Sequence, residues 1–239
     1  MRILVVGSGG VGDAFARIAV QRDFFELLVI SDFDETRASA TVASATARRQ
    51  GEGRLVAAKV DASSTESVAA LVREHSVTHV LNAVDPRFVM PVFEGARAAG
   101  ADYLDMAMSL SNPHPERPYA ESGLKLGDDQ FAAAQKWEDA GRLALVGMGV
   151  EPGLSDVFAR YAADHLFSEI VERGTRDGAN LVVRNEQGGR SVDPGLSIWT
   201  AIEDCSSRQV VWRRGGGRST RPAVREDGGV GFLGGGGPA

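Results

Sequence analysis

The 239-residue chain carries 26 Lys and Arg against 32 Asp and Glu, a formal net charge of -6, which excludes a protein that coats nucleic acid or an anionic membrane. An apolar fraction of 43% supports one large or two ordinary globular domains, and small-molecule chemistry becomes the expectation. The single cysteine, Cys205, excludes an internal disulfide. No Cys/His spacing suits a structural zinc, so no metal is expected and a reducing cytoplasm fits.

The first apolar run, Ile3 to Val6, meets Gly7 after four residues, too few for a signal-peptide core or a membrane span. From Arg2 onward short apolar runs alternate with longer stretches whose apolar residues fall three and four apart, the pattern of βαβ units in a parallel sheet. Strands are predicted near 2–6, 26–31, 54–59, 78–82, 101–105 and 142–147. Helices are predicted near 11–22, 34–50, 65–75, 88–99 and 128–140. Between 106 and 128, Pro113, Pro115 and Pro118 cannot share a helix interior. That stretch is expected to be a long loop on the side of the sheet where ligands of such folds bind. After Gly149 the pattern changes to a helix near 154–167, a hairpin around Asp177-Gly178 and an apolar segment at 196–202. The last 26 residues, from Arg214, hold ten glycines and little to bury against the entropy of ordering, so a disordered tail is expected over 214–239.

Gly7-Ser8-Gly9-Gly10-Val11-Gly12 is G-x-G-x-x-G set directly after a predicted strand and directly before a predicted helix. The first glycine permits the tight turn, the second keeps side chains away from a pyrophosphate, and the third lets helix and strand pack closely. The helix N-terminus adds free N–H groups and a positive dipole end. Residues 1–148 are therefore expected to fold as a Rossmann domain, a doubly wound parallel sheet binding a nicotinamide dinucleotide. Asp32 follows twenty residues after Gly12, where a carboxylate accepts from the adenosine ribose hydroxyls and repels a 2′-phosphate. That favours NAD over NADP, with Arg37 the near cation that NADP would need. The alternative role for Asp32 is a turn or helix cap, which Asp34 also fits. By position, Asp61 and Ala62 lie where the adenine ring sits. Asn82, Ala83 and Val84 lie where the backbone passes towards the nicotinamide. Asp85-Pro86 suits a helix start. None of Tyr103, Tyr119 or Tyr161 has a lysine four residues on, which argues against a Tyr-x-x-x-Lys dehydrogenase or a nucleotide-sugar epimerase.

The segments Asn82-Ala83-Val84-Asp85-Pro86-Arg87-Phe88, Tyr103-Leu104-Asp105-Met106-Ala107 and Gly149-Val150-Glu151-Pro152-Gly153-Leu154-Ser155 resemble the saccharopine dehydrogenase family, over residues 1 to about 212. The resemblance implies a Rossmann domain joined to an α/β substrate domain. It also implies NAD(P)-linked oxidoreduction at a C–N bond of an amino-acid or polyamine derivative. Family members are longer, so 149–213 is expected to form only part of the substrate domain. The alternative class is a dinucleotide-binding protein without turnover.

Hydride transfer to an imine carbon requires alignment, exclusion of water and one proton carrier. Asp105 at the end of the fifth strand, His114 in the long loop and Glu151 in the Gly-Val-Glu-Pro-Gly turn are the candidate catalytic residues. Each has a plainer alternative, as a turn cap, a solvated loop residue and an exposed turn carboxylate respectively. An unfinished sheet edge would favour self-association, so a homodimer is expected.

Overall fold

Ile3 and Val5 point to one face of the first strand and Leu4 and Val6 to the other, and all four are buried. A strand apolar on both faces needs a layer of helices on each side. The computed structural model describes residues 1–47, 53–117, 121, 123–171 and 173–174, together with the backbone of 183–184, 190–191, 209–213 and 217–221. The elements run β1 (Arg2–Val6), α1 (Gly10–Ala19), β2 (Leu27–Asp32), α2 (Glu35–Thr46), β3 (Leu55–Lys59), α3 (Thr65–Glu74), β4 (His79–Asn82), a 3₁₀ turn (Pro86–Phe88), α4 (Val89–Ala98) and β5 (Asp102–Asp105). After the long loop come α5 (Asp128–Ala132), α6 (Ala134–Asp139), β6 (Ala144–Leu145) and α7 (Leu154–His165).

These strands form one six-stranded sheet in the order β3-β2-β1-β4-β5-β6, every pairing parallel. The order reverses between β1 and β4, the switch point outside which ligands of open α/β sheets bind. The predicted doubly wound Rossmann architecture is what the structure shows. One core layer joins Ile3, Val5, Leu28 and Ile30 to Ala16, Ala19, Ala38 and Ala45. The other joins Leu4, Val6, Val29 and Val80 to Val68, Val72, Val92, Phe93, Tyr103 and Trp137. Phe93 anchors that second layer, edge-on to Tyr103 at 5.2 Å between centroids and tilted against Trp137 at 4.8 Å. Burying such a ring contributes about 1.5–3 kcal/mol.

Two predicted elements differ. The expected helix at 128–140 is divided at Ala133, whose N–H bonds the Gln130 carbonyl three residues back, a tightened turn of the 3₁₀ kind. The expected strand at 142–147 pairs only over Ala144–Leu145, because the Gly147 and Met148 N–H groups turn instead to Asp105.

The chain divides into two compact units, Met1–Asn112 with Leu124–Thr175, and Pro113–Gly123 with Arg176–Ala239. α7 thus belongs to the first unit. In the second, β7 (Val183–Arg184) pairs antiparallel with β8 (Arg190–Ser191), and β9 (Gln209–Arg213) with β10 (Gly217–Arg221). β10 lies inside the stretch expected to be unstructured, where its backbone pairs with that of β9 from Gly217 opposite Arg213 to Arg221 opposite Gln209. The predicted hairpin at Asp177-Gly178 and the apolar segment at 196–202 lie outside the described residues. Among the described residues, no helix is long and apolar enough to cross a membrane.

Helices α3 and α4 meet at Gly95. A Cβ there would lie 2.8 Å from the Thr65 carbonyl oxygen and 2.8 Å from Val68 Cβ, so only glycine allows the contact. Gly95→Ala is expected to cost about 1–3 kcal/mol by forcing the helices apart. Urea unfolding checks this: the midpoint falls while the slope with denaturant stays the same.

Candidate functional site

The glycine loop joins β1 to α1 at the carboxyl edge of the sheet. Gly7 has φ +102°, open to glycine at little cost, and its N–H donates to the Ser31 carbonyl at 2.8 Å. A Cβ on Gly7 would strike the Ala83 carbonyl oxygen at 2.7 Å, and one on Gly12 would lie 1.9 Å from the Gly7 carbonyl oxygen. Both positions are therefore closed to any side chain. Gly9 and Gly10 are different. A Cβ on Gly10 would meet nothing within 4 Å and one on Gly9 only the Arg37 guanidinium at 3.8 Å, so the backbone there faces open space. α1 begins at Gly10 with no side chain capping its first turn, which leaves its leading N–H groups and positive dipole end for an anion. Val11 is exposed on the same turn. A pyrophosphate fits this cradle.

Asp32 closes β2 and is only 5% exposed. Its Oδ2 accepts from the Ser8 N–H at 2.9 Å and the Ser8 hydroxyl at 2.8 Å. Its Oδ1 accepts from the Asp34 N–H at 3.2 Å and lies 3.6 Å from the Arg37 guanidinium. Burial alone would raise the Asp32 pKa. The Ser8 and Asp34 donors and the Arg37 cation outweigh it and hold the carboxyl below its ordinary value. Asp34, not Asp32, caps α2, accepting from the Thr36 N–H at 2.9 Å. Arg37 is half-exposed and sits over the Phe33 ring at 5.7 Å.

Asp61 follows β3 and forms a tight turn, its Oδ1 accepting from the Ser63 N–H and hydroxyl. Ala62 packs against the core. Asn82, at the end of β4, is buried; its Oδ1 accepts from the Val84 N–H at 3.2 Å and its Nδ2 donates to the Tyr103 hydroxyl at 2.9 Å. Asp85 accepts from the Arg87 N–H with Pro86 at the first helical position, as a helix start requires.

The candidate catalytic residues have three different surroundings. Asp105 is 1% exposed. Its Oδ2 accepts from the Tyr103 hydroxyl at 2.9 Å and Gln130 Nε2 at 2.7 Å, its Oδ1 from the Gly147 N–H at 2.8 Å and the Met108 N–H at 3.3 Å. Gln130 Oε1 in turn accepts from the Ser109 N–H at 2.8 Å. One carboxylate thus pins the loops leaving β5 and β6 to α5. Burial pushes the Tyr103 hydroxyl well above its ordinary pKa, with the Asp105 charge reinforcing it, so Tyr103 stays protonated and donating. Glu151 is half-exposed in a turn made compact by Gly147, Gly149 and Gly153. A Cβ on Gly153 would meet the Gly149 nitrogen and oxygen at 2.6 and 2.5 Å. The Glu151 carboxylate faces Arg173 at 3.6 Å, and the same guanidinium binds Asp156 at 2.6 Å and the Ser155 hydroxyl at 2.8 Å. His114 belongs to the second unit, where its Nδ1 accepts from the Arg117 N–H at 3.1 Å and its Nε2 meets Glu121 at 3.2 Å. Tyr103, Gln130 and Arg173 were not marked as site residues by the sequence. Gln130 carries a signal in retrospect, a polar residue seven before Trp137 on the buried side of a helical stretch.

A switch-point cradle of bare glycine backbone, an uncapped helix start and an ionised carboxylate at the end of the neighbouring strand define a Rossmann dinucleotide-binding domain. Residues 3–145 match the family model for the saccharopine dehydrogenase NADP binding domain, and the chain belongs to that family. It is 32% identical over 176 residues to carboxynorspermidine synthase of Vibrio alginolyticus, covering 71% of this chain and 41% of the relative. It is 31% identical over 172 residues to carboxyaminopropylagmatine dehydrogenase of Synechocystis, covering 71% and 39%. The chain spans about two fifths of the length of the curated relatives it matches. Among solved structures, apo saccharopine dehydrogenase of Saccharomyces cerevisiae is similar in fold, with TM-score 0.50 and 14% identity over 69% of this chain and 31% of that one.

Asp105→Ala leaves the Tyr103 hydroxyl, Gln130 and Gly147 N–H without their buried acceptor. The expected loss is at least about 3 kcal/mol, read by chemical denaturation. Asp32 has a lowered folded pKa, so the stability it contributes is present above the unfolded value of about 4 and is lost as the pH falls through the lower folded value. Acid titration of wild type against Asp32→Asn reads this as a gap between the two curves that closes below about pH 4.

Proposed function

We propose that this chain binds a nicotinamide dinucleotide at the β1–α1 loop and uses it in oxidoreduction at a C–N bond of an amino-acid or polyamine derivative. The observation that carries the first half is the loop itself, where Gly7 and Gly12 are sterically closed while Gly9 and Gly10 face open space at an uncapped helix start. The second half rests on the family and on relatives named for carboxylated polyamine chemistry.

In this reading the N–H groups of Gly9, Gly10 and Val11 hold the pyrophosphate, and Ser8 and Gly12 shape the turn. Asp32 lies at the ribose, Asp61 and Ala62 border the adenine, and Asn82, Ala83 and Val84 line the way to the nicotinamide. When bound, the nicotinamide supplies or accepts the hydride. The protein's share is to align the carbon, exclude water and move one proton. In this reading Glu151, a half-exposed carboxylate in the turn before α7, carries that proton, with Arg173 orienting it. Asp105, buried with both oxygens engaged, positions the loops around the site. His114 is assigned to substrate handling by the second unit, and residues 149–213 to the start of a substrate domain.

Asp32 supports NAD as the cofactor. A specific observation also supports NADP: the Arg37 guanidinium stands within 4 Å of both Asp32 and the position of a Gly9 Cβ, where a 2′-phosphate can pair with it. Both nucleotides are therefore expected to bind in the micromolar range by calorimetric titration. Arg37→Ala weakens NADPH about tenfold, one charge-assisted hydrogen bond, and leaves NADH within about twofold. Failure of both nucleotides to bind would sink the reading. A dinucleotide-binding protein without turnover is the second reading, since the family match covers the cofactor domain alone. Consumption of NADH or NADPH with amine and carbonyl donors decides between them, and a rate lost in Glu151→Gln supports the proton role. Self-association is part of the proposal, and a strictly monomeric mass by light scattering would contradict it.

A further inference from the structure

We infer that the Ser8 hydroxyl is a specificity-determining group that takes an acceptor position Asp32 would otherwise offer the ribose and so lowers the protein's preference for NADH over NADPH. This rests on the dinucleotide-binding reading above and goes beyond it by naming what sets the choice between the two cofactors.

A carboxylate selects an unphosphorylated ribose by accepting from its hydroxyls, so it needs free acceptor positions. Each carboxylate oxygen offers about two. On Asp32 both positions of Oδ2 are filled from within the loop, by the Ser8 N–H at 2.9 Å and the Ser8 hydroxyl at 2.8 Å. Oδ1 holds the Asp34 N–H and faces Arg37. Asp32 and Ser8 are 5% and 7% exposed, whereas Arg37 is 49% exposed, so a ribose arriving from solvent meets the guanidinium before the carboxylate. A ribose hydroxyl reaching Oδ2 would have to displace the Ser8 hydroxyl, one hydrogen bond exchanged for another with no net gain. A 2′-phosphate would meet a cation backed by a carboxylate whose charge three donors already compensate, which weakens the repulsion Asp32 would otherwise exert.

The backbone N–H of residue 8 survives any substitution, so the hydroxyl alone can be removed. In Ser8→Ala one acceptor position on Oδ2 opens to the ribose, and the carboxylate becomes less compensated towards a phosphate. Both changes push the same way. The hydroxyl also holds the carboxyl pKa down, which gives a readout needing no cofactor.

The experiment is calorimetric titration of the full chain with NADH and with NADPH, on wild type, Ser8→Ala and Ser8→Cys, with the Asp32 carboxyl followed by carbon NMR across acid pH. The expected result is a rise of about tenfold in the ratio of NADPH to NADH dissociation constants in Ser8→Ala. A smaller rise of the same sign is expected in Ser8→Cys, and an upward move of the Asp32 pKa in both. Taking the ratio on one variant cancels any general loss of folded protein. Ser8→Cys, which keeps the shape of the side chain with a slightly larger atom and weakens the donor, carries the test should the alanine variant not fold. If wild type binds both nucleotides and the ratio stays within about twofold in the variants, or the Asp32 pKa does not move, Ser8 has no such role although the cofactor site stands. If wild type binds neither nucleotide, the inference falls together with the function proposed above.

Discussion

The structure depends on one close approach. The Gly7 carbonyl oxygen occupies the space that a Cβ on residue 12 would need, 1.9 Å away, so α1 can leave β1 only through a turn with no side chain at either point. That contact fixes the start of α1 over the carboxyl ends of β1 and β2. From it follows the place of Ser8, whose N–H and hydroxyl reach Asp32 on the next strand. The first helix, the second strand and the anion cradle are thus set by a single steric constraint, and the two core layers above and below the sheet supply the stability that holds it.

A second anchor lies across the switch point. Asp105 gathers donors from Tyr103, Gln130, Met108 and Gly147, and Tyr103 passes the connection to Asn82 at the end of β4. A buried carboxylate is costly unless its oxygens are satisfied, and a fully satisfied network is correspondingly rigid. Met108 and Ser109 after β5, Gly147 after β6, and α5 are therefore tied together through one carboxylate. The network also explains why β6 is short: the Gly147 and Met148 N–H groups, which could have lengthened its ladder, are spent on Asp105.

These anchors have opposite chemistry around similar side chains. Asp32 is held ionised at the rim, with a half-exposed arginine in front of it. Asp105 is sealed among neutral donors. Both stand at strand ends, where an α/β sheet places its functional groups, yet one has a half-exposed arginine beside it and the other braces the turns after β5 and β6. Glu151 and Arg173 form a third, more open carboxylate–guanidinium pair at the start of α7.

The sequence by itself determined the parallel sheet, the glycine cradle and the acidic residue at the end of β2, because these rest on local rules: apolar runs of strand length, glycines at fixed spacing, and a helix start straight after a strand. It also indicated a Pro-started turn at Asp85-Pro86. Only the tertiary structure decided that Asp105 is a sealed brace, that Ser8 already occupies Asp32, that the helix at 128–140 breaks at Ala133, and that residues 217–221 find a partner strand. The first two turn on which donor reaches which acceptor across 20 or more residues, the break on a bond from Ala133 to Gln130 three residues back, and the last on a strand meeting its complement. Spacing along the chain does not encode such contacts. They are settled when buried polar groups must find partners, and that competition is resolved only in the packed fold.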